Sequence, residues 1–129
     1  ADGSQKDGFL KYEKNRPVGI YDIRNKEYFI MTEEWKKKID AKLGPLPEGY
    51  SPWRALLADA KKDDKLKRHF ETLKGMDTVG AGLAIDFLKK TREIGRLLVK
   101  TQVANSDEDV NAVLTNGFFW LYGPINNYA

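Results

Sequence analysis

A chain of 129 residues suffices for one ordinary domain and is short for two. With 41% apolar residues, three Trp, six Tyr and six Phe it can fill a core, and 32% charge suits a small helical protein with much surface. There is no cysteine, which excludes a disulfide framework, a thiolate metal site and a cysteine nucleophile, and the net charge of +3 is low for a protein that neutralises many phosphates.

Residues 1–17 are polar, carry Gly3, Gly8 and Pro17 with few apolar anchors, and read as an extended or flexible arm. The chain opens Ala1-Asp2-Gly3-Ser4 with Met31 as its first methionine, a start expected of a mature protein after signal cleavage or of a piece excised from a longer chain. From Val18 to Met31 the β-formers Ile20, Tyr21, Ile23, Tyr28, Phe29 and Ile30 flank Arg24-Asn25-Lys26. That pattern fits a short hairpin or an extended strip laid across a helical body.

Four helical units follow. The first is predicted from Thr32, with Glu33 and Glu34 in its first turn, to Gly44-Pro45. The second starts at Ser51-Pro52-Trp53, and its apolar phase breaks at Lys61-Lys62-Asp63-Asp64, where a kink or a short gap is expected. The third runs from Thr78 to Val103, capped by Asp77 or Thr78. The fourth opens on Ser106-Asp107-Glu108-Asp109 and stops at Gly123-Pro124. Short links between such units predict an all-α, up-down four-helix bundle over residues 31–129 with a short C-terminal tail, preceded by the leader over 1–30.

The third helix has two faces. Val79, Leu83, Phe87, Ile94, Leu97, Leu98 and Thr101 recur at steps of three and four, the spacing of a buried stripe. Lys89, Arg92, Arg96 and Lys100 recur on roughly the opposite side, and Lys61, Lys62, Lys65, Lys67 and Arg68 cluster on the unit before it. Residues 106–129 carry three acids and no base, so the middle of the chain is basic and its end acidic. The basic residues read as a solvated face or as a docking surface for an acidic partner. Near the chain end, Phe118 and Leu121 continue a seam that Phe119, Trp120 and Tyr122 leave. This aromatic end is expected either beneath the leader or exposed as a docking patch.

Nothing in the sequence names a reaction. His69 is the single histidine, has no serine beside it, and has no second imidazole for a metal. Gly80-Ala81-Gly82-Leu83-Ala84-Ile85 lacks the third glycine or alanine and the preceding strand of a dinucleotide loop. The acidic pairs sit at helix starts, where the helix dipole accounts for them. Stacking aromatics do not interleave with the basic stripe, which argues against nucleic acid. No catalytic residue, metal site, cofactor or small-molecule substrate is expected. Partner binding is assigned to Lys61, Lys62, Lys89, Arg92, Arg96, Lys100, Trp120 and Tyr122. No apolar run approaches the ~20 residues that span a bilayer.

The cysteine-free start at Ala1, the polar leader with Pro17, the Ser51-Pro52-Trp53 start, the long helix 78–103 and the run Gly117-Phe118-Phe119-Trp120-Leu121-Tyr122-Gly123-Pro124 carry a likeness. Together they resemble the PsbQ-like extrinsic proteins of photosystem II, and most closely the additional extrinsic subunit of diatom-type oxygen-evolving complexes. The resemblance implies a non-catalytic scaffold subunit in the thylakoid lumen, monomeric when free. Such a subunit docks on membrane-embedded photosystem subunits and other extrinsic proteins through their acidic surfaces and helps retain calcium and chloride. A periplasmic inhibitor or immunity-type binding protein and a basic helical nucleic-acid-binding module stand as the alternative readings.

Overall fold

Glu13 and Arg16 face each other across a two-residue turn, Lys14-Asn15, in which both φ angles are positive (47° and 62°). That left-handed pair matches the natural twist of two antiparallel strands. It opens a meander of β1 (Leu10–Glu13), β2 (Arg16–Asp22) and β3 (Glu27–Ile30), ordered β1-β2-β3. The structure, a computed structural model, describes residues 8–128, and the chain divides into two compact units, residues 1–42 and 43–129.

The first unit is built on this sheet. Leu10 pairs with Ile20, and Gly19 with Ile30. A Cβ on Gly19 would lie 3.1 Å from the Phe29 carbonyl oxygen, so the bare backbone sets the close approach of β2 and β3. At the second turn the Asp22 carboxylate accepts from the Arg24 N–H at 2.9 Å and the Asn25 side-chain amide at 2.8 Å. Tyr21 and Tyr28 meet edge to face at 5.2 Å, and the Tyr28 hydroxyl donates to the Gly8 carbonyl at 2.7 Å. The Thr32 hydroxyl accepts from the Trp35 N–H at 3.1 Å and caps α1 (Glu33–Leu43), whose Trp35 ring packs 5.3 Å from Phe29.

The expectation of an all-α four-helix bundle is therefore wrong. About half of the chain is helical, and the described residues hold a three-stranded antiparallel sheet and five α-helices. The leader's β-formers find one another in sequence order, and the arm expected to be extended supplies β1. The helices also differ from four equal rods. α1 buries no residue. The unit expected from Ser51 is a single turn, α2 (Trp53–Leu56), separated from α3 (Lys62–Lys74) by residues 57–61, so a break exists but falls earlier than the Lys61–Asp64 stretch, most of which is the first turn of α3. The last helix, α5 (Asp107–Ala112), passes into a π-helical turn, Val113–Gly117, and residues 118–128 are irregular.

In the second unit α3 and α4 (Val79–Lys100) form the frame. Thr78 caps α4 by accepting from the Ala81 N–H at 3.2 Å, and Ser106 caps α5 by accepting from the Asp109 N–H at 3.1 Å. The core gathers Leu56, Leu66, Phe70, Leu73, Ala81, Leu88 and Leu121. The irregular C-terminal segment is held by side chains rather than by a ladder. Asn111 donates to the Ile125 carbonyl and accepts from its N–H, both at 2.9 Å, and Arg92 donates to the Asn126 carbonyl at 3.2 Å. Gly95 makes room for this segment on α4, since a Cβ there would lie 2.8 Å from Ile125 Cγ1 and 3.3 Å from Val110 Cγ1. Gly95→Leu should lower the unfolding free energy by about 1–3 kcal/mol through overpacking, although leucine is the better helix former by roughly 0.8 kcal/mol. Urea melts of the two proteins measure the difference.

Candidate docking face

α4 presents its large apolar side chains outward. Val79, Leu83, Phe87, Ile94 and Leu97, which periodicity assigns to a buried seam, are all between 55% and 60% exposed. The face turned to the core carries Ala81, Ala84, Ile85, Leu88 and Gly95. Small side chains let the neighbouring segments approach the helix backbone closely, while Leu88 fills the core at its centre. Of the expected seam, Leu98 is half-buried and Thr101 is exposed. At ~1.5 Å per residue the helix is about 33 Å long, so the uncovered stripe runs along a substantial part of the second unit.

The basic residues divide into groups. Lys89, Arg96 and Lys100 are exposed along one flank of the apolar stripe, whereas Arg92 is half-buried and turned to the C-terminal segment, where it bonds Asn126. Lys61 is exposed and Lys62 half-buried at the start of α3. Nearby, Asp59 pairs with Lys65, and that bond, with the Lys61 N–H, holds its carboxyl below the usual carboxylate range. Lys90 sits within the apolar stripe itself and pairs with Glu93 at 2.8 Å, with both side chains well exposed. That pair raises the Lys90 pKa and lowers the Glu93 pKa.

The aromatic end is split between interior and surface. Tyr122 is half-buried, with its ring perpendicular to Phe70 at 5.4 Å, and Tyr128 stacks on Phe70 at 5.1 Å. Trp120 lies 6.2 Å from Phe87. Phe87, Trp120 and Tyr122, with Trp53, Arg54 and Leu57, line an open groove of about 470 Å³. Beyond the π-helical turn, Phe119 is held at a φ of +54° and is 80% exposed. An exposed aromatic on a left-handed, non-glycine backbone beside a π turn is the kind of local strain that gathers at functional surfaces.

His69 lies among Trp53 (5.0 Å), Phe70 (5.2 Å) and Tyr50 (6.3 Å). Burial lowers its pKa from the usual 6.5. A depressed histidine pKa means that the unfolded chain binds the proton first as pH falls. Stability conferred by neutral His69 is therefore present above about 6.5 and is lost as pH drops through that value, levelling off below the folded pKa. Thermal melts between pH 7.5 and 5 should show this decline, and His69→Gln should flatten it. Among the described residues no group of three metal-ligating side chains converges.

The outward face of α4 is what sequence periodicity missed. The signal that could have found it is the placement of Ala81, Ala84 and Gly95 on one side, small residues where helices approach. No helix among the described residues is long and apolar enough to cross a membrane. No protein family, no curated protein and no solved structure matches this chain.

Proposed function

We propose that the chain is a non-catalytic scaffold subunit that docks on another protein through α4. The observation that carries this reading is the exposed apolar stripe from Val79 to Leu97, flanked by Lys89, Arg96 and Lys100. Contiguous uncovered apolar surface with a polar rim is the usual mark of a protein interface. The basic flank favours an acidic target and contributes orientation and association rate more than affinity.

The target in this reading is the lumenal face of photosystem II, where the subunit stabilises the oxygen-evolving complex. The residues that support it are Ser51-Pro52-Trp53, the long α4 and the run from Gly117 to Pro124; the four-helix architecture no longer contributes. Labelled protein added to salt-washed photosystem membranes should rebind at low salt and be released as salt rises. Failure to rebind at any ionic strength removes the photosystem as the target.

A second reading is favoured by the groove beside exposed Phe119: an inhibitor-type protein whose aromatic end enters a partner enzyme. Saturable inhibition of one purified hydrolase or toxin, lost in Phe119→Ala, would select it.

A further inference from the structure

We infer that the outward face of α4 receives one amphipathic helix of a different protein, with an acidic residue placed opposite Lys90. This inference rests on the docking reading above and names the partner's chemistry. Leu83, Phe87, Lys90, Ile94, Leu97 and Thr101 are all exposed and follow one another at steps of four, three, four, three and four. That alternation is the heptad seam of a coiled coil, in which each side chain seats between residues of a facing helix. The inner face of the same helix is already occupied by its own core through Ala81, Leu88 and Gly95. The seam spans about five turns, roughly 27 Å, and Leu83, Phe87, Ile94 and Leu97 within it are each more than half exposed.

Lys90 identifies the occupant. A lone charge within an apolar seam fixes the register and the partner. A second copy of this chain brings no acid within the seam itself to answer it. In the antiparallel register that sets Leu83 against Leu97 and Phe87 against Ile94, Lys90 meets Lys90, and in-register parallel pairing does the same. Sliding one step sets each Lys90 against an apolar side chain, again with no acid in the seam. An anionic bilayer is also a poor match, because Asp86 and Glu93 border the stripe where an interfacial helix would carry bases. A carboxylate on a partner helix satisfies Lys90 directly. The present Lys90–Glu93 pair is exposed on both sides and is readily exchanged for it, since such pairs contribute little.

The probes are two synthetic 21-residue helices with leucine at every seam position except the central one, which is Glu in one peptide and Lys in the other. Fluorescence anisotropy is read below the concentration at which either peptide self-associates. Wild-type protein should bind the Glu peptide roughly tenfold or more tightly than the Lys peptide, and Lys90→Glu should reverse that order. Equal binding of both peptides, or binding of neither, overturns the inference. So does sedimentation of the free protein as a dimer, or its flotation with phosphatidylglycerol vesicles, when Leu97→Glu abolishes that behaviour. Rebinding to photosystem membranes without peptide discrimination refutes the helical partner alone. Discrimination without rebinding refutes the photosystem reading alone.

Discussion

Leu66→Ala should lower the unfolding free energy by about 2–5 kcal/mol, the range for a large-to-small change at a fully buried leucine. Leu66 is 0% exposed and packs in one cluster with Phe70, Leu73, Leu88 and Leu121, so the lost methyl groups leave a hole that α3, α4 and the C-terminal segment would have to close. For a protein whose whole stability is of order 5–15 kcal/mol, that is a severe loss. The instructive comparison is Phe87→Ala, which removes a larger side chain from a position that is 56% exposed. It should cost under roughly 1 kcal/mol. Denaturant titrations of the two variants test the orientation of α4 directly. If Phe87→Ala proves the more damaging, the helix faces its core with the other side and the uncovered stripe does not exist.

The same pair of residues shows where sequence reasoning succeeds and where it stops. Helix starts are local events, and Thr32, Thr78 and Ser106 are readable as caps because a hydroxyl and the amide it accepts from lie three residues apart. The break between α2 and α3 is readable because Leu66, Phe70 and Leu73 share a phase that Trp53 and Leu57 do not. The sheet was half legible. β-formers over 18–31 fit a hairpin, but Leu10–Glu13 becomes a strand only by pairing with β2, through a turn whose first residue, Lys14, is an unusual choice for a positive φ. The end of α5 was over-extended for the converse reason. Phe118 and Leu121 keep helical spacing, yet the π turn over Val113–Gly117 and the left-handed Phe119 end the helix before them.

The inward face of α4 was misassigned because periodicity weighs side chains by size. Leu83, Phe87, Ile94 and Leu97 dominate any such reading, while Ala81, Ala84 and Gly95 count for little. The packing inverts that ranking. The C-terminal segment comes so close at Gly95 that only a hydrogen fits. Of the candidate basic residues, spacing correctly put Lys89, Arg96 and Lys100 on a shared exposed flank. It could not show that Arg92 turns to a carbonyl thirty-four positions along the chain. The aromatic end has the same character. Trp120 and Tyr122 lie within three positions of exposed Phe119, but Tyr122 is drawn inward by Phe70, whereas Trp120 lies near Phe87 on the outward face of α4.

Replacing Leu83 and Leu97 together by glutamate should weaken docking by roughly a hundredfold or more, the scale expected when two central apolar contacts of an interface are removed. Folding should hardly change. Both side chains are more than half exposed, so neither glutamate carboxylate needs to leave water in the free protein, and the cost should stay within about 1 kcal/mol. That separation of binding from stability is what distinguishes an interface stripe from a core seam, and it is read by comparing rebinding with the thermal midpoint of the same preparation. Lys89→Ala, Arg96→Ala and Lys100→Ala combined should act differently, slowing association and flattening its salt dependence while leaving much of the affinity. A double glutamate variant that rebinds as well as wild type would move the docking site off α4. The groove walled by Trp53, Phe87 and Trp120 would then be the surface to mutate next, because it shares only Phe87 with the stripe.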